Sequence, residues 1–132
     1  MTDILEETSP PSAALVDPVP PHLRGWLHLI SFFLSLPAGA VVIASGASGR
    51  ARSAGVVYAV GMTAMFGVSA AYHRRRWSPD GRRRMRRIDH GTIFFMIAAS
   101  YTPLCLLALG GTMGTGVLTA VWWPPPSASP WP

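Results

Sequence analysis

The side chains able to do chemistry in this sequence gather at the two ends of an arginine run. Ser69-Ala-Ala-Tyr-His73 precedes the run, RRRWSPDGRRRMRR forms it, and Ile88-Asp89-His90 follows it. An imidazole is both a metal ligand and a proton carrier near neutral pH, and a carboxylate can hold a metal or a water. Ser69 and His73 are four residues apart, so they stack on one face if the segment is helical. Tyr58, Met62 and Phe66 continue that face, and the stripe is expected to face protein. Asp89 and His90 are consecutive and point about 100° apart on a helix. They are not expected to serve the same small site, and Asp89 is favoured. Upstream, His28 clusters with Ser31 and Ser35, while Asp89, Met96 and Ser100 fall roughly together downstream.

Each of these residues also has a structural reading. His73, next to Arg74, could rest its ring among lipid head groups. Asp89 could cap a helix N-terminus, where a carboxylate accepts backbone N–H bonds and suits the macrodipole, or pair with Arg86 or Arg87. His28 and Ser69 could be packing or interhelical hydrogen-bond residues.

The elements that must position these groups are apolar. No charged residue occurs from Ala54 to Tyr72 or from Gly91 to Leu109, and each run approaches the roughly 20 residues a helix needs to cross a hydrocarbon core. A third run extends from Leu27 to Ala44 with Pro37 inside it; a spanning helix tolerates proline because neighbouring groups re-satisfy the freed carbonyl. The fold class expected is therefore an all-α, multi-pass transmembrane protein with spans at about 27–44, 54–73 and 88–109 and a fourth helix begun at about 117. A soluble bundle is disfavoured, since charged residues make up only 13% of the chain and leave too little polar surface to cover such helices. On this reading His28, His73, Asp89 and His90 share one membrane level. An ionisable group in a bilayer helix costs about 2.5–3.5 kcal/mol at the centre and less near the ends, so it marks a site by default.

Charge gives the expected orientation. Lysine is absent, and eight of the eleven arginines lie between Arg74 and Arg87. This positive-inside pattern places the run in the cytoplasm and, with Arg24 near the first span, the N-terminus there too, in the inner membrane of a cell. The net charge of +5 is thus explained without nucleic acid as a partner; the partners expected are membrane lipids. Residues 1–22, rich in proline, serine and acids, read as a disordered cytoplasmic tail without signal-peptide character. Cys105 has no partner for an internal disulfide and reads as a small core residue. Gly110 and Gly114 make a GxxxG that hints at a homo-oligomer but reads better as a flexible loop.

The segments RGWLHLISFFLSLPAG, GVSAAYHRRRW and RRIDHGTIFFMIAASYTPLCLLAL resemble, in order, the first three helices of the hemolysin III proteins, which belong with the progestin and adiponectin receptor (PAQR) superfamily. The resemblance covers about residues 22–122 and implies a seven-helix membrane protein with a zinc site near the cytoplasmic face. In that family a histidine ending the second helix and two histidines of a His-x-x-x-His motif in the last helix hold the metal, with a serine and an aspartate acting through water. Carried over, His73 matches the metal ligand, and Ser69 and Asp89 match the catalytic surroundings. A carboxylate beside a zinc-bound water would serve as a general base, and the wider superfamily implies lipid amide hydrolysis, as in ceramidases.

The sequence departs from that pattern after Gly110. Only VLTAVWW follows the glycine-rich stretch before the proline-rich 124–132, and no His-x-x-x-His occurs. A chain cut short, with its hydrolase disabled, is accordingly expected. His28, His73 and Asp89 together, or a homo-oligomer, are the remaining sources of zinc ligands. Two alternatives accompany the hydrolase: a membrane-lytic, pore-forming hemolysin, and a nonfunctional membrane fragment.

Overall fold

The computed structural model describes residues 25–123, which fold into helices without a strand among them. Helix α1 spans Trp26–Ala44, α2 Gly49–Arg74 and α3 Pro79–Pro103; α3 runs on through π-helical turns at Leu104–Leu109, and α4 spans Gly111–Trp122. The tail expected at 1–22 and the proline-rich 124–132 lie outside the described residues. Three stretches are long and apolar enough to cross a membrane, Trp26–Ala44, Gly49–Arg74 and Pro79–Leu109, and the fourth helix is short. The all-α, multi-pass class follows.

Two helices begin well before the apolar runs they contain. Helix α2 starts at Gly49, capped by Ser48, whose Oγ accepts from the Ala51 N–H at 3.2 Å. Helix α3 starts at Pro79, capped by Ser78, whose Oγ accepts from the Gly81 N–H at 3.2 Å, with Asp80 in the first turn. A serine cap, a proline at N1 and an acid beside the positive helix end outweigh the absence of apolar periodicity. The arginine run is therefore mostly helix, with Arg82, Arg83, Arg84, Arg86 and Arg87 all within α3, and the connection from α2 is only residues 75–78.

The far end of α3 departs from an α-helix. Pro103 has no N–H to donate, and the chain loosens into π-helical turns closed by the Gly110 N–H donating to the Cys105 carbonyl at 3.1 Å. Gly110 and Gly111 then adopt φ of +56° and +54°, left-handed values that glycine alone reaches without strain. They reverse the chain so that α4 begins at Gly111, not near 117, and the expected flexible loop at Gly110–Gly114 is a turn and a helix start. Helix α4 returns along α3: Trp122 donates its Nε1–H to Thr102 Oγ1 at 3.0 Å and meets Phe95 edge to face. Gly114 packs on the Cys105 carbonyl, where a Cβ would stand 2.6 Å from the oxygen.

Helix α2 is the centre of the molecule. Both α1 and α3 pack on it, and they do not touch each other. The buried apolar residues are small, Ala54, Ala59, Ala70, Ala98, Ala99 and Cys105, whereas large ones lie outside: Leu27 is 74% exposed and Phe94 72%. That inversion is incompatible with a water-soluble bundle and suits lipid, where helices associate through small residues that let backbones approach.

Candidate functional site at the arginine-bearing end

Two helices deliver the histidines to one place. His28 lies in the first turn of α1 and His73 in the last turn of α2, and their rings stack with centroids 5.8 Å apart and planes 17° from parallel. The Tyr72 ring lies 4.8 Å from that of His73, tilted by 55°, and the Phe66 ring lies 6.4 Å from that of His28. Gly25 makes this approach possible. It sits buried at the start of α1 with φ +90°, and a Cβ there would stand 2.9 Å from Arg74 Cγ and 3.0 Å from His73 Cβ. The neighbouring Trp26 ring receives the Arg74 guanidinium at 4.5 Å. The first turn of α1 is thus fastened to the last turn of α2.

The stripe Tyr58, Met62, Phe66, Ser69 and His73 is half-buried along its whole length, but so is every other residue from Met62 to Ser69, and the fully buried positions of α2 are Ala54, Gly55, Ala59, Gly61 and Ala70. On α3, Gly81, Met85, Asp89 and Thr92 form the half-buried side, while the intervening arginines and His90 are exposed. His90 Nδ1 lies 2.9 Å from the Arg86 carbonyl, within its own helix. Consecutive placement has separated Asp89 from His90. Asp89 is not a helix cap, because it lies several turns inside α3 and Ser78 holds that position. Among the described residues the carboxylate paired with an arginine is that of Asp80, which binds Arg83.

These groups do not amount to a closed metal cage. Among the described residues no group of three His, Cys, Asp or Glu side chains stands close enough to hold a metal ion, whereas protein zinc sites take three or four ligands. His28 and His73 are brought together; Asp89 does not join them in a three-donor set. Cys105 is buried at the opposite end, in the π-helical turns. Gly25, Trp26 and Trp77 escape a reading of spans alone. The indoles flanking the arginine run, each under a guanidinium, are the signal that would have pointed to the two tryptophans.

The fold and this end together define a helical multi-pass membrane protein in which His28, His73, Asp89 and most of the arginines lie at one end of the helices. The comparisons with known proteins specify it further. The family model described as "Haemolysin-III related" matches residues 18–124, and the chain belongs to that family. It is 32% identical over 98 residues to Hemolysin-3 from Bacillus cereus, a match covering 72% of this chain and 44% of that relative. The chain therefore spans a little under half the length of the curated relative it matches. No solved structure matches it.

Proposed function

We propose that this protein contributes part of a zinc site near the cytoplasmic face of the inner membrane, with His73 as ligand and Ser69 and Asp89 as its polar surroundings, in the service of lipid amide hydrolysis. The observation that carries the reading is the half-buried His73 ring, in contact with the rings of His28 and Tyr72 at the arginine-bearing end of α2. Zinc, if bound, would polarise a carbonyl or activate water. What this chain supplies is an oriented imidazole, a hydroxyl one turn before it and a carboxylate on the inner side of α3. The sequence has no His-x-x-x-His, so the further ligands would come from His28 beside His73 or from a second copy. The arginine run favours the cytoplasmic orientation by the positive-inside rule.

Zinc content of the detergent-purified protein tests this reading. Bound zinc that is lost in His73→Ala supports it; metal-free wild-type protein, or zinc retained in the variant, overturns it. The name Hemolysin-3 of the Bacillus cereus relative favours a second reading, a membrane-lytic protein. Release of a dye from lipid vesicles without zinc, and equally with His73→Ala, would support lysis over hydrolysis.

A further inference from the structure

The helical start of α3 carries more positive charge than a connection between spans requires. From Pro79 to Leu109 the element is 31 residues long, about 46 Å at helical rise, against a hydrocarbon core of about 30 Å. Roughly ten residues therefore extend past the core on the arginine-bearing side, if its other end stays at the opposite edge. All five arginines from Arg82 to Arg87 lie in that extension and are exposed. By helical geometry they spread over about 200° of the circumference, and the remaining side is the half-buried stripe through Gly81, Met85 and Asp89. Between residues 74 and 87 the only acid is Asp80, already paired with Arg83.

We propose that this extension is a binding surface for anionic phospholipid head groups, with Arg82 and Arg86 forming one phosphate-gripping row. The two are four apart and stack along the helix, and a guanidinium fork matches two phosphate oxygens. The surface sits where such head groups are. Trp26, beneath Arg74 at 4.5 Å at the start of α1, marks the interfacial level on this side. A row of arginines at that depth meets lipid phosphate before it meets any soluble polyanion, and for that reason lipid is favoured over nucleic acid. The inference is independent of the zinc reading.

The test uses the full chain in nanodiscs made of equal parts phosphatidylcholine and phosphatidylglycerol, with spin-labelled versions of each lipid reporting which one contacts the protein. Wild type is expected to prefer phosphatidylglycerol about fivefold or more at low salt, the increment of a basic residue at an anionic surface, and to lose most of that preference near 1 M salt, where screening shortens to about 3 Å. The double variant R82Q/R86Q is expected to lose most of the preference. R82K/R86K keeps the charge and should retain most of it; six further arginines hold the topology in either variant. Equal contact with both lipids in the wild type overturns the proposal, as does an unchanged preference in R82Q/R86Q or an equal loss in both variants. Tight binding of single-stranded RNA in pure phosphatidylcholine nanodiscs, abolished by R82Q/R86Q and unaccompanied by lipid preference, overturns it in favour of nucleic acid.

Discussion

The two sides of α2 are built differently. Toward α1 the contact is part polar and part open: Ser35, buried on α1, meets Thr63 at 3.1 Å, Gly67 lies under the Phe32 ring, and a groove of about 630 Å³ runs alongside. Toward α3 the contact closes on Gly61 against Ala99, and a Cβ on Gly61 would stand only 2.5 Å from that of Ala99. One seam has room and a hydrogen bond to hold it; the other relies on shape. Lipid gives no hydrophobic push between helices, so close fit and interhelical hydrogen bonds are the two available means of association. Toward α1 this protein uses both, since Gly39 also closes on Ala59 beside the Ser35–Thr63 bond, and toward α3 it uses the tighter fit of Gly61 on Ala99.

Substitutions at the seams break that contrast if it is wrong. Gly61→Ala is expected to have the largest effect, about 2 kcal/mol of destabilisation, because overpacking a closed contact costs about 1–3 kcal/mol and exceeds the helix-propensity gain of at most about 1 kcal/mol. Thermal unfolding of the detergent-purified variant measures it, and Gly61→Ala with Ala99→Gly should recover most of the loss. Gly39→Ala places its Cβ 2.8 Å from that of Ala59, but the adjoining groove lets α1 give way, and about 1 kcal/mol is expected. Equal losses at the two glycines would show that the groove provides no relief. Ser35→Ala should have the smallest effect, near the ~0.6 kcal/mol average for interhelical hydrogen bonds in membranes. A loss at Ser35 as large as that at Gly61 would make the polar side the stronger one and reverse the comparison.

Much of this architecture was legible in the residues. Uninterrupted apolar runs announced three spans, whereas the four-residue spacing of Ser69 and His73 did not find the close-packed face of α2, which is carried by Ala54, Ala59, Gly61 and Ala70. The start of α3 was harder, because arginines have no apolar period to read; Ser78-Pro79-Asp80 held the capping information and was outweighed by the charge. The glycines after Leu109 misled for a related reason. Glycine weakens helices on average, yet here two of them supply the left-handed turn and Gly114 supplies a close backbone contact. At the candidate site, sequence indicated a shared membrane level but not which rings would meet. The stack of His28 on His73 depends on Gly25, whose lack of a side chain signals nothing until its neighbours are known.

The absence of contact between α1 and α3 has a consequence in time. Among the described residues, the one helix that α1 packs on is finished once Arg74 is synthesised, so the α1–α2 pair is available before α3. At about 5–20 residues per second, the roughly 35 residues that complete α3 through Leu109 take a few seconds more. During that interval the α2 face bearing Gly61 stands open to lipid, and α3 joins a hairpin already in place.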